Sequence, residues 1–324
     1  MPLLKYQFKP GIDKEGTSYT DEFGWYNSDK IRFRSGHPEK IGGWAKYSSS
    51  TFLGTARSLY NYASSSGTNY IGIGTHLKFY IADGSSYNDI TPIRATTSAG
   101  DVTFSATNGD ATITVADTAN GAVKNDFVTF SGAATLGGLI TADVLNQEYQ
   151  IATIVNANSY TIEAKDTDGD TVTANSSDSG NGGSSVVGAY QINVGLDEYV
   201  SGSGWGVNGW GDGTFGTAAT LDATNQLRIY SQDNFGDDLV FNPRAGGIYY
   251  WDESSGTSTR AVNFSSLGSA SNVPTKSLQI MVSDVDRHII CFGSNPIGSS
   301  TLDPLLVRWS DQESAIDWTP SSTN

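Results

Sequence analysis

Apolar and polar positions along this chain alternate with a period of two in short runs, and glycine-rich or Asn/Asp-rich clusters interrupt the runs. Between Trp25 and Trp44, Ile31, Phe33 and Ile41 alternate with Lys30, Arg32 and Arg34, which predicts a half-buried strand and a Gly42-Gly43 turn into the next. Asn69–Gly74 (NYIGIG) and Leu77–Ile81 (LKFYI) predict a hairpin around Thr75-His76. The same signature continues through Val102–Phe104, Thr112–Val115, Phe127–Phe130, Tyr149–Ile154 and Tyr160–Ile162. Gly109-Asp110, Asn156–Asn158 and Asp166–Asp170 supply turns there. A chain this rich in turn formers, with 16 Tyr, 13 Phe and 7 Trp, must reverse direction often, which short strands satisfy better than helices, so the pattern predicts an all-β chain.

Three segments share one faint shape. Asn69–Gly74 is followed by Asp89-Ile90-Thr91-Pro92, and Arg287–Gly293 by Asp317-Trp318-Thr319-Pro320; between them Asp238–Asn242 and Gly247–Asp252 form a similar hairpin. Repeats near 40–50 residues with about four strands each are the signature of propeller blades. The expected architecture is therefore a partial β-propeller-like set of blades with an inserted small β domain. Two β-sandwich domains would satisfy the same periodicity.

Composition marks the insertion. Residues 1–57 carry nine Lys/Arg against six Asp/Glu, whereas 95–226 carry two lysines, Lys124 and Lys165, against fifteen acids. The segment 96–187 also lacks tryptophan. Asn175–Ser185 (NSSDSGNGGSS) reads as a flexible linker at its exit. These shifts divide the chain into a first propeller-like part, 1–95, an inserted small β domain, 96–187, and a second propeller-like part, 188–324.

With 324 residues and a net charge of −15, the surface is unsuited to coating DNA, which requires clustered Lys and Arg. One cysteine, Cys291, excludes an internal disulfide, and its apolar neighbours Ile289, Ile290 and Phe292 predict a buried thiol. No signal peptide or membrane span is evident.

No active site assembles from the sequence. The three histidines, His37, His76 and His288, stand without partners at metal-ligand spacing. Asp166-Thr-Asp168-Gly-Asp170 starts like a calcium loop but has Thr171 and Ser177 where an EF-hand needs Gly and Glu, so a hairpin turn is expected. Asp284/Asp286, Asp252/Glu253 and Asp237/Asp238 lie near strand ends, where a pair could serve glycoside hydrolysis, but adjacent acids in a turn-rich β chain are usually solvated turn residues and are read so here. We expect no enzyme, no cofactor and no metal site. Two surfaces remain as candidates. The glycine-spaced Trp205, Trp210 and Phe215 would pack a subunit interface or stack on sugar rings. Lys30, Arg32, Arg34 and Lys40 form a basic strip suited to an acidic neighbour.

Residues 16–47 (GTSYTDEFGWYNSDKIRFRSGHPEKIGGWAKY), 233–252 (DNFGDDLVFNPRAGGIYYWD) and 282–320 (VSDVDRHIICFGSNP…DPLLVRWSDQESAIDWTP) resemble structural tail proteins of tailed bacteriophages. In particular they are similar to a group related to the tail-nozzle, or packaged-DNA stabilisation, proteins of short-tailed phages. The resemblance implies a non-enzymatic, propeller-based subunit of the virion tail, made in the host cytoplasm. It implies a ring, with six copies as the expectation, that meets adaptor and portal-proximal proteins and tail fibres, and that contacts DNA transiently during genome ejection. It also implies a chain continuing beyond the SDQE…DWTP segment. The alternative is a carbohydrate- or host-receptor-binding tail module using the Gly/Trp strip.

Overall fold

The computed structural model describes residues 8–17, 19, 22–43, 45–84, 86–179, 182–198 and 227–321. Among the described residues the chain is all-β apart from single helical turns, and it divides into two compact units, 1–47 and 48–324. Among its described residues the first unit holds one hairpin, β1 (Ile31–Arg34) and β2 (His37–Lys40). The reversal lies at Ser35-Gly36 rather than at Gly42-Gly43. Both residues have positive φ (51° and 83°), the two-residue turn whose twist matches antiparallel strands. His37 and Pro38 therefore open β2.

The second unit begins with a four-stranded meander: β3 (Ala56–Ala63), β4 (Asn69–Thr75), β5 (Phe79–Ala82) and β6 (Tyr87–Asp89). β5 starts later than the sequence implies because the Thr75 hydroxyl accepts the Leu77 and Lys78 N–H groups and holds them in the turn. β7 (Ile93–Thr96) then leads into the inserted segment: β8 (Thr103–Ala106), β9 (Thr112–Ala116), β10 (Phe127–Ser131), the short helix α1 (Ala142–Leu145), β11 (Glu148–Gln150), β12 (Thr153–Asn156) and β13 (Ser159–Glu163). β14 (Val187–Gln191) leads out. Two sheets, ordered β11-β10-β14-β7 and β12-β13-β9-β8, share one core that includes Phe104, Ile113, Phe130, Tyr160 and Tyr190. This is a β-sandwich. The expected strand Tyr149–Ile154 is broken in two, because fully buried Ile151 lies at the point where the chain passes from one sheet to the other.

Asn175–Ser185 behaves differently from a flexible linker over its described residues. Asp178 and Ala106 exchange both backbone hydrogen bonds (2.7 and 3.0 Å), and Gly182 lies so close to Phe104 that a Cβ there would sit 2.7 Å from the ring. Glycine in this strap permits close approach of backbone to core.

A second meander follows: β15 (Tyr230–Phe235), β16 (Asp238–Pro243), β17 (Tyr249–Trp251) and β18 (Val262–Asn263). A third sheet has three strands, β19 (Ser277–Val282), β20 (Ile289–Ser294) and β21 (Asp303–Trp309). The three meander sheets stack face to face, as successive propeller blades do. Along β16, Leu239 and Phe241 enter the core shared with the first sheet, while Val240 enters the core shared with the third. Strand alternation alone thus makes the middle sheet apolar on both faces. Phe79 and Phe241, both fully buried, stack with centroids 3.7 Å apart. Gly74 on β4 makes room for this contact: a Cβ there would meet the Tyr230 ring at 2.3 Å.

Each sheet ends in the same three-residue plug. Asp89, Asn263 and Asp317 accept the N–H two residues ahead, from Thr91, Ser265 and Thr319, at 2.9, 2.9 and 3.0 Å. The residue between them, Ile90, Phe264 or Trp318, is driven into an inter-sheet core.

Candidate functional site

The sequence-derived candidates fare unequally. Trp205, Trp210 and Phe215 lie outside the described residues. Of the basic strip, Arg32 and Arg34 share one face of the β1–β2 hairpin with their cross-strand partners Glu39 and His37. Lys40 pairs with Ile31 and so sits on the opposite face, and Lys30 precedes β1 with a positive φ of 57°. Arg32 forms an ion pair with Glu39 at 3.3 Å, and Lys30 approaches Asp29 at 4.0 Å. The hairpin therefore splits the strip between its two faces.

Two of the three carboxylate pairs, Asp237/Asp238 and Asp252/Glu253, are engaged in holding turns and caps. Asp237 accepts the Ser65 N–H and hydroxyl at 2.7 and 2.5 Å, and these bonds lower its pKa. Burial pushes the neighbouring Asp238 up; its carboxylate accepts the Tyr250 hydroxyl and the Glu253 N–H. Asp252 caps a helical turn through Ser254, and Glu253 accepts the Tyr70 hydroxyl at 3.0 Å. Asp284 and Asp286 are exposed between β19 and β20. Asp166 folds its own loop, accepting the Asp168 and Asp170 N–H groups at 3.0 and 2.9 Å. Among the described residues no group of three or more His, Cys, Asp or Glu side chains is arranged to hold a metal ion.

Cys291 is fully buried, and desolvation pushes its thiol up to about 12. His76 accepts the Thr55 N–H on Nδ1 at 3.0 Å, and burial lowers its pKa despite Asp197 nearby. Nδ1 of His288 lies 2.8 Å from the Ser310 carbonyl. Each histidine in the second unit is thus tied to backbone.

Two features escape sequence reasoning. The first is a charged cluster where the inserted sandwich meets the sheets. Lys78, almost entirely buried, bonds to Asp89 at 2.7 Å and to Glu148, while Arg260 lies 3.3 Å from each of the same two carboxylates. Gln191 also donates to Glu148, and the Lys78 ammonium sits 4.4 Å from the Phe127 ring centre. Two cations face two anions, with Glu148, Gln191 and Phe127 contributed by the sandwich. Burial raises the pKa of Asp89, but Lys78, Arg260 and the bonds from Lys78 and Thr91 outweigh it and leave the carboxyl below its usual value. The available signal was Lys78 itself, a lone cation within LKFYI. Its carboxylate partners Asp89 and Glu148, however, are 11 and 70 positions away along the chain, and Arg260, which shares them, is 182 away.

The second is the outer face of the third sheet. Met281, Ile290 and Trp309 align across the strands, as do Phe292 and Val307. Met281, Phe292, Val307 and Trp309 are 38–49% exposed. Trp309 and Val307 border an open groove of about 930 Å³ whose rim carries Asp311 and Glu313. In sequence, IMV, IICF and LLV are apolar at consecutive positions, a sign of strands meant for burial on both faces.

No helix among the described residues is long and apolar enough to cross a membrane. No family model matches this sequence, and no curated protein matches it. Among solved structures, the phage phi92 endosialidase is similar at 14% identity and a TM-score of 0.24; the alignment covers 78% of this chain and 37% of that one.

Proposed function

We propose that this chain is a non-enzymatic structural component of a bacteriophage tail, a nozzle or tail-tip ring subunit forming part of the DNA conduit. The observation that carries the reading is the stack of three meander sheets joined through buried aromatic contacts such as Phe79–Phe241. Such a stack makes a stiff wall. Carboxylates engaged in turns, caps and ion pairs favour a scaffold over a reaction centre. The excess of acid, a net charge of −15, would let phosphate slide past instead of adhering. The partners under this reading are further copies of the chain, six in the ring, with adaptor and portal-proximal proteins, tail fibres and DNA in transit.

The test is to image purified virions with antibody against the inserted sandwich. Label in a ring around the tail axis is expected. Label confined to peripheral spikes, together with glycan binding by the purified chain, would overturn the conduit role in favour of a receptor-binding module.

A further inference from the structure

The stacked sheets do not themselves demand a buried lysine beside a plug. The Ile90 N–H donates to the Phe79 carbonyl and, in the second sheet, the Phe264 N–H donates to the Ile248 carbonyl, so Lys78 and Gly247 hold equivalent places. Glycine suffices at the one; at the other an ammonium is taken out of water, which is unfavourable without close partners. The Lys78 side chain is 4% exposed, and its nitrogen lies 2.7 Å from Oδ2 of Asp89, one bond away from the carboxyl carbon. The oxygens around it are differentiated. Oδ1 of Asp89 accepts the Thr91 N–H at 2.9 Å and the Thr91 hydroxyl at 2.5 Å, two donors able to hold a developing oxyanion. Oδ2 meets the cations Lys78 and Arg260. On Glu148, Gln191 and Arg260 occupy Oε2, while Oε1 faces the Lys78 nitrogen, where a carboxylate can take a proton from an amine and return it. The Phe127 ring lies over the same nitrogen, 4.4 Å from the ring centre.

We propose that Lys78 and Asp89 join through an amide bond between their side chains, with Glu148 as the proton carrier. One ammonium proton passes directly to Oδ2 across the hydrogen bond. The freed amine attacks the carboxyl carbon, and Oδ1 takes up the electron pair between the Thr91 donors. Glu148 then moves a second proton from the nitrogen to Oδ2, which leaves as water while the pair on Oδ1 returns to the C=O bond. An ammonium and a carboxylate thus become an amide and one water, with no oxidant or co-reactant. Reacting groups held in good orientation reach effective concentrations of about 10⁵–10⁸ M, and burial keeps water from reversing the step. The product ties the start of β5 to the plug that closes the first sheet. The ion-paired chain is the reactant, and the linked chain differs from it by one water. The bond does not depend on the tail reading above.

The experiment incubates the purified full-length chain at neutral pH and follows its intact mass over days, beside a sample held unfolded in urea. The folded chain is expected to lose one water and the unfolded chain none. Trypsin cuts after Arg57, Lys78 and Arg94, so the linked chain should yield 58–94 as one peptide, lighter by one water and uncut at Lys78. A succinimide at Asp83-Gly84 would also lose water but would leave Lys78 open to trypsin; that result overturns the proposal, as does an unchanged mass. Lys78→Met should abolish the loss. Glu148→Gln, checked for folding by circular dichroism, should slow it roughly 100-fold. A Glu148→Gln chain that links at the wild-type rate overturns the mechanism. The wild-type peptide map decides the bond even where a variant fails to fold.

Discussion

Replacing Phe241 by alanine tests whether the stacked sheets are one mechanical body. Phe241 is fully buried, lies flat on Phe79 at 3.7 Å with an interplanar angle of 6°, and also touches Tyr249 and Tyr230. Removing a buried phenyl ring leaves a cavity and costs roughly 3–5 kcal/mol. Phe79→Ala should cost a similar amount, and a stacked pair adds about 0.5–1.5 kcal/mol of its own. The double variant should then fall short of the sum of the singles by about 1 kcal/mol, since both rings line one cavity. Urea unfolding followed by tryptophan emission is a suitable assay. Trp251 packs edge-on against Tyr70 in the same core, and residues 96–187 contain no tryptophan. The midpoint should fall with little change in slope. Amide exchange in β9, β10 and β13 should remain slow, because those strands belong to a separate core. A cost below about 1 kcal/mol, or strict additivity of the two changes, would refute the idea that this ring pair joins the first two sheets.

Gly74→Ala should destabilise by roughly 1–3 kcal/mol, since the new methyl would sit 2.3 Å from the Tyr230 ring; thermal unfolding measures it, and a neutral result means that β15 is free to retreat. Glu148→Gln leaves Lys78 and Arg260 facing one carboxylate and should cost about 2 kcal/mol, measured by urea unfolding. The depressed pKa of Asp89 fixes the sign of its acid dependence: its contribution is complete above the ordinary carboxylate pKa of about 3.9 and disappears as pH falls through the lower native value. Asp89→Asn should therefore flatten the stability profile on the acid side alone; an unchanged profile there rules out the cluster as its source. Cys291, fully buried and with its thiol pushed up to about 12, should resist iodoacetamide at neutral pH until the chain is unfolded, as mass spectrometry of the alkylated protein would reveal.

Much of the strand inventory was legible because alternation reports directly on half-buried sheets. NYIGIG, DLVFN and RHIICFG mark the second strand of each successive meander sheet. The plug was legible in two copies of three. Asp89-Ile90-Thr91 and Asp317-Trp318-Thr319 look alike in sequence. Asn263-Phe264-Ser265 differs from both at every position, yet keeps the chemistry of an acceptor, a buried hydrophobe and a capped N–H. What stayed hidden depends on chain folding over long separations. Neither the Lys78–Glu148 contact nor the exposure of Trp309 leaves a local trace. Glycine was misread where it stands for proximity: in 175–185 it admits Phe104 and does not loosen the chain.

The plug also explains how a sandwich can be inserted without disturbing the stack. The Asp89 carboxylate holds Thr91, and buried Ile90 accepts the Ala261 N–H from the second sheet at 3.0 Å, so the first sheet is closed before the chain departs. β7 begins at Ile93, and the chain returns through β14 as its antiparallel neighbour, Ala189 opposite Thr96. Departure and return are therefore side by side, and the excursion adds little loop-closure cost to the sheets. Orientation needs a further restraint, which the charged cluster supplies. Asp89 belongs to the plug and shares Lys78 and Arg260 with Glu148 on the sandwich. One residue thus closes the first sheet through its Oδ1 and helps to anchor the insertion through its Oδ2, which couples the pose of the sandwich to the integrity of the stack.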